Sequence, residues 1–133
     1  MTSVHEAEIV ELHEFFEGWL GGTLPDTDDA FERFERTIGD AFTFIGPDGR
    51  FLDRASLVSH LRSAHGARPG LHIRIENPRI HHEAGGLTIA TYEEWQEQGS
   101  VTTGHLSSAV FRDRADGVEW VHVHETWLKP PGK

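Results

Sequence analysis

Histidines near the C-terminal end of the chain are the side chains whose type and spacing best suit chemistry. His122 and His124 alternate along one predicted strand, so they project from the same face. If residues 115–117 close a tight hairpin, the preceding strand brings His105 beside His124 on that face. Because imidazole titrates near neutral pH, His105 and His124 are predicted to be catalytic acid/base residues. The alternative is that these histidines are buried, hydrogen-bonded residues of a core or an interface.

The same hairpin predicts which residues face each other across its two strands. Ser107 and Ala109 are small and lie on the histidine face, so they leave room for a cavity above them. We therefore expect this face to point inward and line a pocket. The predicted pairs are Phe111 with Trp120, Ala109 with His122, Ser107 with His124 and His105 with Thr126.

A carboxylate on the strand before His105 could orient one of these imidazoles. Glu93 and Glu94 are adjacent, so only one of them faces the pocket, and a slip of one residue in register exchanges them. Glu93 is taken as the catalytic partner, while the choice between the two stays open, as does the alternative that both face solvent. The three histidines also resemble an imidazole zinc site, but no motif supplies a fourth ligand. The sequence predicts no metal and no cofactor.

Aromatic side chains are the candidates for binding a ligand. Several could line a mostly apolar pocket suited to a flat, hydrophobic or aromatic small molecule, although a core role is the alternative for most of them. The predicted ligand-binding residues are Phe16, Trp19, Phe44, Trp95, Trp120 and His122.

Composition excludes several classes of function. The 133 residues carry a formal net charge of −10 and no cysteine, so a nucleic-acid backbone would be repelled and thiol chemistry is excluded. We find no apolar run as long as the roughly 20 residues of a membrane span. The N-terminal residues do not have the pattern of a secretory signal, so a cytoplasmic location is expected.

The order of predicted elements is helix, helix, short hairpin, helix and long meander. Helices are expected after a capping box at Ser3, after the acidic cluster 26–29, which supplies the N-cap, and after Asp53. Pro78 cannot donate to a strand ladder and should bulge the first long strand. The predicted strands are 42–45, 51–52, 71–80, 87–96, 101–112 and 118–128.

This order, the turn IGPDGRFLDR and the ending WVHVHETWL resemble the nuclear transport factor 2-like superfamily, in particular its SnoaL-like branch. The resemblance implies one α+β domain over residues 1–133, a cone-shaped curved antiparallel sheet with helices on its concave face (cystatin-like/SnoaL-like). It also implies a small-molecule pocket, used for binding or by an isomerase, cyclase or hydrolase. A non-catalytic module for dimerisation or partner docking is the alternative. Gly46 stands where isomerase-like members commonly carry a catalytic carboxylate, so that mechanism is not carried over.

The resemblance further implies a homodimer formed through the convex sheet face. Alternation along the last strand points Val121, Val123 and Trp127 away from His122 and His124. An apolar patch there would stand in water on a monomer, which favours a twofold interface. The neighbouring strand is expected to add Leu106 and Val110 to this patch, with Glu119 and Glu125 at its rim.

Overall fold

The structure is a computed structural model that describes residues 3–132, so Met1, Thr2 and Lys133 of the predicted domain lie outside the described residues. Within this range the chain forms three helices and a curved, unclosed six-stranded sheet, which confirms the predicted α+β class. The helices are α1 (Val4–Gly21), α2 (Asp28–Glu35) and α3 (Arg54–Ser63). The strands are β1 (Ile38–Ile45), β2 (Phe51–Asp53), β3 (His72–Ala84), β4 (Leu87–Gln98), β5 (Val101–Arg114) and β6 (Gly117–Lys129).

Local hydrogen-bonding signals fix where the helices begin and end. Ser3 and Glu6 form the predicted capping box at the start of α1, and Gly22 ends the helix at φ 82°. Asp53 caps α3, as predicted, by accepting a hydrogen bond from the Ser56 amide at 2.8 Å. The cap of α2 is Thr27 and not an aspartate. Asp28 and Asp29 follow it in the first turn, where their negative charges interact favourably with the helix dipole.

The sheet has the order β2-β1-β6-β5-β4-β3, and β3 to β6 form the predicted antiparallel meander. One ladder differs from the expected all-antiparallel sheet, because β1 pairs with β6 in parallel. The short hairpin is therefore attached to the last strand of the meander and not to its first. This arrangement places the N-terminal strand beside the predicted histidine strand.

Pro78 bulges β3, as the sequence predicts. The register of β3 on β4 shifts between Glu76 and Arg79, and Asn77 takes a left-handed conformation with φ 53°. The bend curls the sheet, so that its concave face can receive the helices.

Another bulge lies at Val121 of β6, where no glycine or proline nearby in the sequence predicts it. Phe111 pairs with Trp120, as expected, but Val110 then pairs with His122, leaving Val121 without a partner position. The side chains beyond Val121 change faces as a result. Trp120 and Val123 are both buried in the core, at 1% and 6% exposure.

Helices α1 and α2 cover the concave face with aromatic side chains. Trp19 is fully buried against Phe15 and Phe31, and its Nε1 donates to the carbonyl of Leu61 at 2.7 Å. This contact ties α1 to the end of α3 and leaves the space below it, towards the centre of the sheet, incompletely filled. None of the helices in residues 3–132 is both long and apolar enough for a membrane span.

Candidate functional site

A cavity of about 200 Å³ lies between the helices and the concave face of the sheet. Most of its walls are apolar and come from α1, α2, α3, β1 and β6. Its aromatic walls are Phe16, Phe34, Phe42, Phe44 and Trp120. The cavity is thus suited to a small molecule that is largely apolar.

A network of two carboxylates and two imidazoles closes one end of this cavity. His105 Nε2 lies 3.0 Å from Glu94 Oε1 and 2.7 Å from Glu125 Oε2. Glu94 Oε1 also lies 3.0 Å from His13 Nε2 on α1, so one carboxylate joins helix and sheet. The Gln96 amide donates to Glu94 Oε2 at 2.6 Å. All four ionisable groups are buried or nearly so, and we call them the His–Glu network.

Hydrogen-bond geometry determines where a proton lies at His13. A backbone carbonyl only accepts, so His13 Nδ1–H donates to the Ile9 carbonyl at 2.7 Å. His13 Nε2 faces the carboxylate of Glu94. The contact therefore contains one further proton, which makes the pair imidazolium and carboxylate, or imidazole and carboxylic acid.

Electrostatics favours the ionised form of both partners. Burial lowers the pKa of His13, but the charge and hydrogen bond of Glu94 outweigh it and raise the pKa above 6.5. Burial likewise raises the pKa of Glu94, whereas His13 and His105 together hold it well below 4.5. Both shifts favour imidazolium and carboxylate over the neutral pair.

His105 is also held in its charged form. Burial lowers its pKa, but hydrogen bonds to Glu125 and Glu94 dominate and raise the pKa to about 10. Tyr92, on the same face of β4 as Glu94, has a pKa raised well above 10.0 by burial, so its hydroxyl is neutral. The inner end of the cavity therefore holds ionised acids, ionised histidines and one neutral phenol.

A second cavity, of about 320 Å³, adjoins the first on the side of β2 and the 46–50 turn. Phe44, Gln96, His105 and Glu125 border both cavities. The contact between His105 and Glu125 consequently lies where the two cavities meet. A molecule entering from either side would reach this contact.

The structure brings four of the predicted site residues to the first cavity. Phe16 comes from α1, Phe44 from β1, His105 from β5 and Trp120 from β6. Phe44 and Trp120 flank the cavity from neighbouring strands, and His105 lies at its polar end.

The other predicted site residues lie elsewhere, and each departure has a structural reason. The expected register opposite His122 and His124 is wrong after Phe111, because the bulge at Val121 turns both histidines to the convex face. His122 Nδ1 is hydrogen-bonded to Thr43 Oγ1 there, at 2.7 Å, and His124 is exposed. The observed pairs are Ala109 with Val123, Ser107 with Glu125 and His105 with Trp127.

Glu94, and not Glu93, faces the cavity. Alternation on β4 sends Glu93 and Trp95 to the convex side, where Glu93 accepts hydrogen bonds from Asn77 at 2.9 Å and from Trp95 Nε1 at 3.0 Å. The Trp95 ring covers Gly104, where an added Cβ would come within 2.4 Å of it. Trp19 is part of the core above the cavity and does not line it.

Sequence reasoning missed three ionisable residues that line the cavity: His13, Tyr92 and Glu125. His13 could have been found, since it lies one turn after Ile9 on the buried stripe of α1, where a polar side chain needs a partner. Glu125 could not have been found, because regular alternation along β6, without the bulge at Val121, places its side chain on the convex face. The rim position predicted for Glu125 is wrong for the same reason, and Glu119 instead pairs with Arg112 and Arg114.

The three histidines that resemble an imidazole zinc site do not come together, but a different group of potential ligands does. Glu94, His105 and Glu125 have potential ligand atoms that all lie within 4.8 Å of one another. Their arrangement could hold a divalent ion only if His105 Nε2 released the proton that both carboxylates now accept.

The apolar residues on the convex face differ from the predicted patch, because the bulge at Val121 also changes which side chains of β6 point outward. Val123 and Trp127 point inward, but Ile89 and Leu106 remain on the outside at 40% and 39% exposure. Val110 lies between them on the same face, half-buried. The outer apolar surface is thus centred on β4 and β5 and not on β6.

Comparisons with known proteins agree with this architecture. Residues 5–129 match the family model described as sucrose-6-phosphate phosphohydrolase C-terminal. Sucrose-phosphatase 1 of Nicotiana tabacum is 29% identical over 129 residues, which cover 92% of this chain and 30% of that protein. The chain therefore spans about a third of the length of this relative.

Solved structures of other proteins share this fold. An NTF-2 like protein of unknown function from Pseudomonas aeruginosa has a TM-score of 0.88 and 27% identity, over 95% of this chain and 99% of its own. The CamKII hub homology domain of Chlamydamonas reinhardtii has a TM-score of 0.71 and 14% identity, over 96% and 100%. The resemblance to the nuclear transport factor 2-like superfamily, SnoaL-like branch, is confirmed, and so is the fold that it implies.

Proposed function

Since the chain belongs to the family of sucrose-6-phosphate phosphohydrolase C-terminal domains and has an NTF2-like fold, we propose that it is a small-molecule-binding domain. The observation that carries this proposal is the apolar cavity of about 200 Å³ with the His–Glu network at one end. A buried ion network costs desolvation free energy, and ionisable groups with shifted pKa values beside a cavity are typical of functional sites.

The finer proposal is that the network performs acid/base chemistry as a cofactor-independent isomerase, cyclase or hydrolase. His105 and Glu125 are the residues that would carry it, in place of the His124 and Glu93 expected from the sequence. Their contact of 2.7 Å lies at the junction of the two cavities, within reach of a bound molecule. Glu94 positions His105 from the opposite side.

A binding experiment tests the coarser proposal. We expect polyketide-like, steroid-like or aromatic ligands that fit the cavity to raise the unfolding temperature, because they bind the folded state only. Leu57→Trp, on α3, should fill the cavity and abolish that rise. Val101→Trp is the matched control, since Val101 is exposed at the start of β5, away from both cavities. Saturating ligand sets that leave the unfolding temperature unchanged would contradict the proposal.

A second candidate function is dimerisation or partner docking through the convex sheet face. Exposed Ile89 and Leu106 in the central strands favour it, as does the fold shared with a hub homology domain. We propose a homodimer formed through this face. Light scattering at micromolar concentration should give twice the chain mass of 15.0 kDa, and Leu106→Asp should give the monomer. A single species near 15.0 kDa for the unaltered protein would rule it out.

A further inference from the structure

The cavity ends at a carboxylate oxygen to which no group among residues 3–132 donates a hydrogen bond. Glu94 has both carboxylate oxygens occupied, Oε1 by the two histidines and Oε2 by Gln96. Glu125 differs, because its Oε2 accepts from His105 while its Oε1 has no hydrogen-bond partner within residues 3–132. The side chain of Glu125 is only 12% exposed, so water reaches this oxygen mainly through the cavities.

A second polar group without a hydrogen-bond partner among the described residues lies on β5, opposite Glu125 of β6. Ser107 is fully buried, and its Oγ has no hydrogen-bond partner in the part of the chain that the structure describes. It pairs directly with Glu125 in register and faces the same concave side. Tyr92, opposite it on β4, interacts with the Ser107 side chain, but this contact does not have the geometry of a hydrogen bond. Buried groups left in this state generally meet water or a ligand.

The charges around the first cavity exclude an anionic head group. Among the described residues that line it, there is no lysine or arginine. Among the residues that the structure describes, the cations at its inner end are His13 and His105, which already contact carboxylates, while Arg50 lines the second cavity and not the first. A carboxylate or phosphate entering here would lie against Glu125 without a free cation to balance it.

A cationic head group is also disfavoured, for a different reason. The two imidazolium groups balance the charges of Glu94 and Glu125, so the network has no net charge left for a buried ammonium. A neutral group that donates one hydrogen bond satisfies Glu125 Oε1 without burying a further charge. The remaining lining is apolar or aromatic, which fits the rest of such a molecule.

We propose that the cavity takes a small, mostly apolar alcohol, whose hydroxyl donates to Glu125 Oε1, and that it does not take phosphorylated or carboxylated molecules. This inference rests on the proposed binding function and specifies its ligand class. A phosphorylated sugar, the kind of compound in the name of the family, would then have to be bound outside this cavity.

A matched series of ligands tests the inference. Isothermal titration calorimetry would compare 3-phenylpropan-1-ol with 3-phenylpropanoate, 3-phenylpropylamine and propylbenzene, which share one skeleton and differ in the head group. We expect the alcohol to bind at least about tenfold more tightly than each of the other three, the size of one satisfied or lost hydrogen bond to a charged group. Inorganic phosphate should not compete with it.

Two variants test whether Glu125 is responsible for the preference for the alcohol. Glu125→Gln keeps an acceptor oxygen but removes the negative charge and adds an N–H donor, so it should reduce the alcohol's advantage over the carboxylate to less than about threefold. Glu83→Gln removes the same charge from an exposed position on β3 and should change nothing. Folding of both variants would be checked by circular dichroism. Should Glu125→Gln fail to fold, the ligand series on the unaltered protein decides alone.

The outcomes separate the two proposals. If the carboxylate, the amine or propylbenzene binds as tightly as the alcohol, the inference about the head group is wrong while the binding function stands. If none of the four ligands binds, both the inference and the binding function proposed for this cavity fail.

Discussion

Trp120 and Val123 lie three positions apart on β6, yet both side chains enter the core on the concave side of the sheet. Regular alternation would put them on opposite faces. The bulge at Val121 absorbs one residue and so brings Val123 and Glu125 inward while turning His122 and His124 outward. This single irregularity determines which ionisable side chains reach the cavity.

Val123→Asp should destabilise the folded chain itself and not only a dimer. The substitution buries a carboxylate in the core, where the side chain is 6% exposed, so we expect a loss of about 3 kcal/mol or more. His124→Asp, on the next and exposed position, is the control and should cost less than about 1 kcal/mol. Urea unfolding at two protein concentrations would measure both. A loss that disappears at high concentration would indicate an interface and contradict the placement of Val123.

Glu94→Gln and Glu93→Gln test which of two adjacent carboxylates supports the network. Removing the charge of Glu94 leaves His13 and His105 without their common partner, which should cost about 3–5 kcal/mol. Glu93 is on the convex side, bonded to Asn77 and Trp95, so its replacement should cost about 1 kcal/mol or less. The comparison uses the free energy of unfolding. Equal losses in the two variants would contradict the observed register of β4.

Stability should be greatest in mildly acidic solution and fall on both sides. His105 has a pKa of about 10 in the folded chain against 6.5 unfolded, so its contribution is complete below pH 6.5 and is lost as pH rises towards 10. The pKa of Glu94 is depressed below 4.5, so its contribution is present above pH 4.5 and is lost in stronger acid.

The groups that face His105 are Glu94 on β4 and Glu125 on β6, with His13 on α1 behind Glu94. The free energy of unfolding of His105→Gln should therefore fall less as the pH rises into the alkaline range. The fall that remains is the part due to His13. His124→Gln, an exposed change on the same sheet, should leave the profile unaltered. The profile would be measured by urea unfolding in the presence of a chelator. A variant profile with the same alkaline slope as the unaltered protein would refute the assignment to His105.

The network should hold protons and not a metal ion at neutral pH. With a pKa of about 10, His105 is deprotonated in only about one molecule in a thousand at pH 7, and a metal must displace that proton. Cobalt(II) added to untagged protein should give no visible ligand-field band at pH 7, and purified protein should contain less than about a tenth of an equivalent of zinc. Stoichiometric metal that is lost in Glu125→Gln would overturn this prediction.

Local signals predicted most of the fold, and one non-local feature limited the prediction of the site. Ser3, Asp53 and Pro78 act within a few residues of themselves, so the two helix starts and the bulge of β3 follow from the sequence. The bulge at Val121 depends on how β6 packs between β1 and β5, and no residue there favours it locally. From His122 to Trp127, the side chains of β6 therefore lie on the face opposite to the predicted one. His105 was placed on the correct face because β5 alternates without interruption from Phe111, whose pairing with Trp120 was predicted correctly, to His105.

The parallel pairing of β1 with β6 also has a consequence for synthesis of the chain. Thr43 and His122 meet although 79 residues separate them, and β6 is the last of the described strands to leave the ribosome. Until then the β1–β2 hairpin has no neighbouring strand. The aromatic side chains of α1 can pack against only the part of the sheet that has already formed. Such late, long-range closure is slow and leaves apolar surface accessible to chaperones. A nascent chain that stalls before Trp120 would therefore be a target for quality control, even though its helices and first three meander strands are already made.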